Sequence, residues 1–208
     1  MIENRLYLRR KIDSVLDGWK ARSGRKPILL KGARQVGKTE AVRAFAARHY
    51  DSFIEINFAL QPQFKQIIED GYDALSVRKR ISALNPLARF SEDRTLIFFD
   101  EVQEFPDIAT SFKSFKTEGR FDVIASGSML GVQYKNVASI PVGFKEDMDL
   151  DSMDFEEFLW AAGYAERNWS IGSGKIRPLR WTSSFVRRKR WCRLRSRRDR
   201  LERNRCRR

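Results

Sequence analysis

Residues 27–39 read PILLKGARQVGKT, a short apolar run that ends in a glycine-rich loop. Residues 32–39 match the pattern GxxxxGK[ST], and residues at helical spacing follow it. The glycines let the backbone wrap around phosphate oxygens and present N–H groups at the start of a helix, where anions bind. This stretch therefore predicts a strand, a phosphate-binding P-loop and a helix, the opening unit of an α/β nucleotide-binding domain.

Each residue of the loop has a predicted role. Lys38 is expected to reach the β- and γ-phosphates, and the Thr39 hydroxyl is expected to ligate Mg²⁺. The side chains of Arg34 and Gln35 are more typical of exposed loop positions than of catalytic groups. The loop residues predicted to contact the nucleotide, besides Lys38 and Thr39, are Gly32, Ala33, Arg34, Gln35, Val36 and Gly37.

Four apolar runs, rich in β-branched and aromatic residues, predict the strands of a mostly parallel sheet. They are nearly continuous rather than alternating, as in strands that are covered on both faces. Helical spacing appears between them, and the pattern of strand, helix, strand, helix indicates an α/β fold with helices on both faces of the sheet. The predicted strands are residues 28–30, 53–57, 96–99 and 121–125.

An acidic pair, Asp100 and Glu101, follows the third predicted strand directly. In open α/β sheets, ligands bind at the carboxyl ends of the strands. Asp100 is therefore predicted to hold Mg²⁺ through its water shell, the Walker B role. Glu101 is predicted to act as general base or to orient the water that attacks the γ-phosphate.

Small polar residues end the fourth predicted strand in the same way. Residues 125–128 read ASGS, and the Ser126 hydroxyl is in a position to sense the γ-phosphate or to place the attacking water. A simple turn into the next loop explains either Ser126 or Ser128 equally well.

The spacing of the motifs resembles one class of P-loop ATPases. A strand–helix unit lies between the loop and Asp100, as in proteins where an extra strand separates the Walker strands and a catalytic glutamate follows the Walker B aspartate. The NKxD motif by which small GTPases read their base is absent from the sequence. ATP is therefore the expected nucleotide, rather than GTP.

Taken together, the motifs resemble the prokaryotic AAA family 14 ATPases. The similarity is carried by KGARQVGKT at residues 31–39, DEVQE at 100–104, ASGS at 125–128, PVG at 141–143 and DFEEFL at 154–159. It covers residues 9–164. The resemblance implies a RecA-like ASCE P-loop domain that uses ATP and Mg²⁺, with Ser126 at the sensor 1 position. Members usually continue into a second domain of helical and nuclease-like character.

The chain departs from this family in two places. Many relatives carry an arginine after the residue equivalent to Gly143, whereas Phe144 and Lys145 stand here. Arg120 is an alternative arginine finger, although a solvated surface arginine is the more ordinary interpretation. After residue 167 nothing matches, which favours a truncated or frame-shifted member.

The positive charge is concentrated in the last part of the chain. Residues 171–208 carry 16 Lys and Arg against two acidic residues, so the whole formal charge of +14 falls there and residues 1–170 are neutral. Either this segment is a disordered basic tail that contacts phosphates, nucleic acid included, or it is translated out of frame. We therefore expect an ATP-binding domain at residues 1–168 and a basic tail at 169–208.

Composition excludes several other classes of protein. The two cysteines, Cys192 and Cys206, have no histidine nearby and indicate neither a zinc site nor a disulfide framework. No apolar run is long enough to span a membrane, and the first residues do not resemble a signal peptide. We expect a cytoplasmic protein without a membrane partner.

The leading hypothesis is an ATPase that uses hydrolysis to switch a conformation or an unidentified protein partner. Two alternatives stay open from the sequence. One is a protein that holds nucleotide without turnover, because a C-terminal domain or an arginine finger is missing. The other is nucleic-acid binding through the basic tail, which would depend steeply on salt.

Overall fold

The computed structural model describes residues 7–128 and 143–164. The basic tail, both cysteines, Pro141 and Val142 lie outside the described residues. The predictions about them, and the domain boundary predicted at residue 168, therefore stay predictions.

Strands and helices alternate along the described part of the chain. The strands are β1 (Ile28–Gly32), β2 (Ser52–Asn57), β3 (Thr95–Asp100), β4 (Asp122–Ser128) and β5 (Glu146–Asp149). The α-helices are α1 (Lys11–Lys20), α2 (Lys38–His49), α3 (Ala74–Leu84), α4 (Phe112–Glu118) and α5 (Phe155–Ala161). Short 3₁₀ turns at Pro62–Ile68, Val102–Glu104 and Pro106–Ser111 complete the connections.

The five strands form one parallel sheet in the order β2-β3-β4-β1-β5. The P-loop follows β1 and the acidic pair follows β3. Both therefore lie at the same end of the sheet, since the carboxyl ends of parallel strands coincide. The strand that separates β1 from β3 in space is β4, whereas the strand between them in sequence, β2, lies at the far edge. This parallel α/β sheet with the intervening β4 is the predicted RecA-like P-loop fold.

The continuous apolar run of β3 is explained by burial on both faces. Ile97 and Phe99 pack in one core layer with α3 and α4, whereas Leu96 and Phe98 pack in the other layer with α1 and α2. All six residues of β3 are buried. Because no position faces water, the run shows no alternation between apolar and polar residues.

One strand was missed by sequence analysis. β5 reads EDMD, and Met148 is its only buried residue. Acidic residues are poor strand formers, and charge on an edge strand blocks further pairing. Its pairing with β1 comes from the tertiary structure, and apolar periodicity in this segment could not reveal it.

No helix among the described residues is long and apolar enough to cross a membrane.

Candidate nucleotide site

The P-loop joins β1 to the first turn of α2. Gly37 is the N-cap residue of α2, at φ 94°, and no side chain caps this helix. A left-handed backbone of this kind favours glycine. The N–H groups of the first turn thus lack a side-chain acceptor, and such groups are the ones that bind phosphate at helix N-termini.

Gly32 is required by a neighbouring segment as well as by the loop itself. A Cβ atom built on Gly32 would lie 2.2 Å from the Leu150 carbonyl oxygen. The Leu150 N–H donates to the Lys31 carbonyl at 2.7 Å, which fixes this close approach. The sequence interpretation assigned Gly32 to phosphate wrapping alone, so the contact with residue 150 adds a second reason for glycine.

The remaining loop residues differ in exposure. Ala33, Arg34 and Gln35 are exposed, and Val36 is half-buried. Gln35 adopts a positive φ of 63°. The exposed side chains of Arg34 and Gln35 agree with the prediction that they belong to the loop surface.

Lys38 is folded back over the loop. Its side-chain ammonium donates to the carbonyl oxygens of Gly32 at 3.1 Å and Ala33 at 2.7 Å. Burial lowers the pKa of Lys38 from its ordinary value, and the charges of Glu101 and Asp100 oppose that shift. A cation thus lies within the loop, on the side of the acidic pair.

The Asp100 carboxylate is buried and receives four hydrogen bonds. Its Oδ2 accepts from Thr39 Oγ1 at 2.9 Å and from Asn57 Nδ2 at 3.2 Å. Its Oδ1 accepts from the Glu101 N–H at 3.0 Å and from the Ser126 hydroxyl. The structure therefore brings together the two residues predicted to ligate Mg²⁺, Thr39 and Asp100.

Glu101 follows in a left-handed conformation, with φ 55°. Such a backbone is uncommon for a residue with a side chain and costs of order 1 kcal/mol. Its half-buried carboxylate accepts a hydrogen bond from Gln103 Nε2. The left-handed backbone at Glu101 marks the point at which the chain leaves β3, whose last residue is Asp100.

Ser126 lies within β4, not after it. The strand continues to Ser128, and Ser126 is fully buried behind Asp100, to which it donates its hydroxyl hydrogen. A turn at this position, one of the two interpretations left open, is therefore wrong. In this arrangement Ser126 orients Asp100, and its predicted contact with the γ-phosphate or a water stays a prediction.

Two residues of the site were not found by sequence analysis. Asn57 ends β2 and donates to Asp100, and a polar residue that closes an apolar strand was the available signal. Arg10 is 8% exposed and donates to the carbonyls of Val36 at 2.9 Å and Asp151 at 2.8 Å. No local pattern marks Arg10, because its partners are distant in sequence.

Arg120 lies just before β4 begins, at the amino ends of the strands and so at the opposite end of the sheet from the P-loop. It is half-exposed and forms ion pairs with Glu92 and Glu118. This placement fits a surface arginine and puts Arg120 far from the P-loop of its own chain. Phe144 occupies the position where an arginine was expected, and the Lys113 ammonium lies 5.4 Å from the centre of its ring.

The donor set at the site fits Mg²⁺. Thr39 and Asp100 offer hard oxygen ligands within one hydrogen-bond length of each other. In the described part of the chain, no group of three or more His, Cys, Asp or Glu side chains forms a separate metal site. Mg²⁺ in phosphate-binding sites is typically held by only one or two protein oxygens, with phosphates and waters completing its shell.

Comparison with known proteins gives one family match. The model of a family described as an AAA domain (AAA_14) matches residues 24–159. No curated protein matches the sequence.

Among solved structures, the chain is similar to one titled "Structure of C. elegans PCH-2". The two are 13% identical with a TM-score of 0.44, over 77% of this chain and 49% of that one. This chain thus spans about half the length of that relative.

Proposed function

Because the chain belongs to the AAA domain family of nucleotide-binding P-loop proteins, we propose that it is a Mg²⁺-dependent ATPase. The reaction is hydrolysis of ATP to ADP and phosphate, and its free energy drives a switch in conformation or in a protein partner. The observation that carries this proposal is the 2.9 Å hydrogen bond between Thr39 Oγ1 and Asp100 Oδ2. It joins the P-loop to the acidic strand end.

The P-loop binds the phosphates in this proposal. The uncapped N–H groups of α2 face the β- and γ-phosphates, and Lys38 exchanges its two carbonyl contacts for phosphate oxygens. Both groups stabilise the charge of the nucleotide and of the transition state without reorganising water. Thr39 and Asp100 would hold Mg²⁺, whose chemistry is to neutralise phosphate charge when bound.

Glu101 orients the attacking water. The water oxygen forms a bond to the γ-phosphorus, the bond from that phosphorus to the bridging oxygen breaks, and ADP leaves with the electron pair. The water proton moves toward the Glu101 carboxylate or a phosphate oxygen. Asp100 is not assigned this role, because Asp100 is the carboxylate proposed to hold Mg²⁺ and lies against Thr39.

The experiment is a measurement of ATP hydrolysis with and without Mg²⁺, with nucleotide binding measured on the same samples. We expect Mg²⁺-dependent turnover in the natural chain. Lys38→Ala should abolish binding, since the loop loses its cation. Glu101→Gln should keep binding and lose turnover, since the isosteric amide cannot accept a proton.

The outcomes separate the hypotheses. Micromolar ATP affinity in Lys38→Ala contradicts the P-loop assignment. An unchanged rate in Glu101→Gln rejects the water-orienting role of that residue. Binding without turnover in the natural chain would identify a nucleotide-holding protein instead, the first of the two alternatives.

A further inference from the structure

Gln103 links the acidic pair to the end of β4. Its Oε1 accepts a hydrogen bond from the Ser128 N–H at 3.2 Å, and its Nε2 donates to Glu101 Oε2. Both ends of one side-chain amide are therefore engaged. Gln103 lies within the DEVQE stretch at residues 100–104, but none of the roles assigned above to the nucleotide motifs belongs to it.

The orientation of this amide is determined by its partners. A backbone N–H can only donate, so the amide oxygen must face Ser128, and the NH₂ group must then face Glu101. The flipped amide would direct its oxygen at the Glu101 carboxylate and its NH₂ at another donor, losing both hydrogen bonds. Ser128 is 4% exposed, so its N–H has little access to water as an alternative acceptor.

The local backbone brings the two side chains together. Glu101 has left-handed φ, and the 3₁₀ turn at Val102–Glu104 follows it, closed by the Glu104 N–H on the Glu101 carbonyl at 2.9 Å. Val102 is buried and anchors the turn in the core. The turn directs Gln103 back toward both Glu101 and β4.

β4 thereby holds both carboxylates of the site. Ser126 binds Asp100 directly, and Ser128, two residues further along the strand, holds Glu101 through Gln103. Among the described residues, Glu101 Oε2 is held by Gln103 and Glu101 Oε1 receives no hydrogen bond. This is the arrangement needed to orient a water with a fixed carboxylate.

We propose that Gln103 is a positioning residue that fixes the Glu101 carboxylate for attack of water on the γ-phosphate. The inference rests on the proposed ATPase function. Gln103 acts through Glu101 and lies outside the phosphate-binding loop, so its removal should affect turnover and spare binding.

The test compares Gln103→Ala and the similarly sized Gln103→Met with the natural chain. Gln63→Ala, at an exposed position in the Pro62–Ile68 turn, is the matched control. Both Gln103 variants should lower kcat by about 10- to 100-fold, the typical effect of misplacing a reacting group. The Kd for ATP should stay within about twofold in all three variants, because Gln103 lies outside the phosphate-binding loop.

A double-mutant cycle separates positioning from general damage to the fold. In the Glu101→Gln background, measured by single turnover, Gln103→Met should cause no further loss, because the group it positions is already gone. An additional loss of turnover in the Glu101→Gln background would overturn the inference. For Gln103→Met alone, the inference is overturned by a kcat within about twofold of the natural chain, by an increased kcat or by weakened ATP binding. If the natural chain binds ATP without turnover, the proposed function and this inference both fail. If the natural chain hydrolyses ATP and this turnover depends on Lys38, the proposed function holds, and a contrary result for Gln103 contradicts the inference alone.

Discussion

At the scale of single residues, Asp100 is the most constrained group of the site. It receives hydrogen bonds from Thr39, Asn57, Ser126 and the Glu101 N–H, so its carboxylate has one orientation. The sequence placed Asp100 at the end of a strand. The donors that orient it come from α2, β2 and β4, and only the folded sheet brings them to one point.

Asp100→Asn should weaken the dependence of ATP binding on Mg²⁺. The amide keeps the size of the side chain but loses the charge and one acceptor oxygen, and changes of this kind around a metal cost about 10- to 100-fold in metal affinity. Titration of ATP with Mg²⁺ and with EDTA measures the effect. Asp51→Asn, at a surface carboxylate paired with Arg94, is the control, and an unchanged Mg²⁺ dependence in Asp100→Asn would remove the metal role.

Gly32→Ala should destabilise the fold even without nucleotide. The new methyl group would lie 2.2 Å from the Leu150 carbonyl oxygen, which a hydrogen bond to Lys31 holds in place. Overpacking of this kind costs about 1–3 kcal/mol. Gly18→Ala is the matched control, because its methyl group meets nothing within 4 Å in α1 and should stabilise the helix by about 0.5–1 kcal/mol. Urea unfolding distinguishes the two, and equal effects would contradict the close approach at Gly32.

At the scale of elements, Arg10 connects three segments that are far apart in sequence. Its guanidinium donates to Val36 in the P-loop and to Asp151 after β5, and its Nε lies 3.0 Å from Glu157 Oε2 in α5. Within the described residues that Nε makes no hydrogen bond, so its contact with Glu157 is ionic. Glu157 also accepts from the Lys11 N–H at the start of α1, which ties α1 to α5.

Arg10→Met should lower the free energy of unfolding by about 3 kcal/mol, because it leaves the buried Glu157 without its cation. In Arg10→Met/Glu157→Gln the loss should be smaller than the sum of the single losses. Arg43→Met removes a surface arginine paired with Glu40 and Glu55 and should change stability by less than about 1 kcal/mol. Urea denaturation of these three variants and of Glu157→Gln alone measures the coupling, and strict additivity would exclude a direct interaction between Arg10 and Glu157.

At the scale of the whole molecule, Asp122 joins the start of β4, at the end of the sheet opposite the P-loop, to α1, to the segment after α1 and to the end of α2. Its carboxylate accepts from Lys20 at 2.8 Å, from Arg25 at 2.6 and 2.7 Å and from Tyr50 at 2.7 Å. Burial alone would raise the pKa of Asp122, but the hydrogen bonds from Arg25, Lys20 and Tyr50 outweigh it and lower that pKa below its ordinary value of 3.8.

Stability should therefore depend on pH through Asp122 in a definite direction. A carboxyl group with a lowered folded pKa stabilises the protein fully above pH 3.8, and this contribution is lost as the pH falls through the folded value. Asp122→Asn should cost about 3 kcal/mol at pH 7, and the difference from the natural chain should shrink below pH 3.8. Urea midpoints from pH 7 downward test this, with Asp51→Asn as the surface control; a difference independent of pH would contradict the network.

The P-loop, the acidic pair and four of the five strands could be predicted from the sequence, because each depends on a local pattern. GxxxxGK[ST] sets the loop, continuous apolar runs set strands buried on both faces, and carboxylates directly after such a run must lie at the sheet edge. These signals do not depend on distant parts of the chain. The assignment to an AAA domain was available for the same reason.

The tertiary structure decided everything that depends on two distant segments. Strand order placed β4 between the P-loop strand and the acidic strand, so Ser126 came to lie behind Asp100, and Gln103 could reach both Glu101 and β4. The acidic strand β5 formed because β1 offered it an open edge, and Arg10 became buried because the P-loop and α5 meet around it. Side-chain partners across a sheet carry no local signature, since a contact between distant segments depends on where the fold places both.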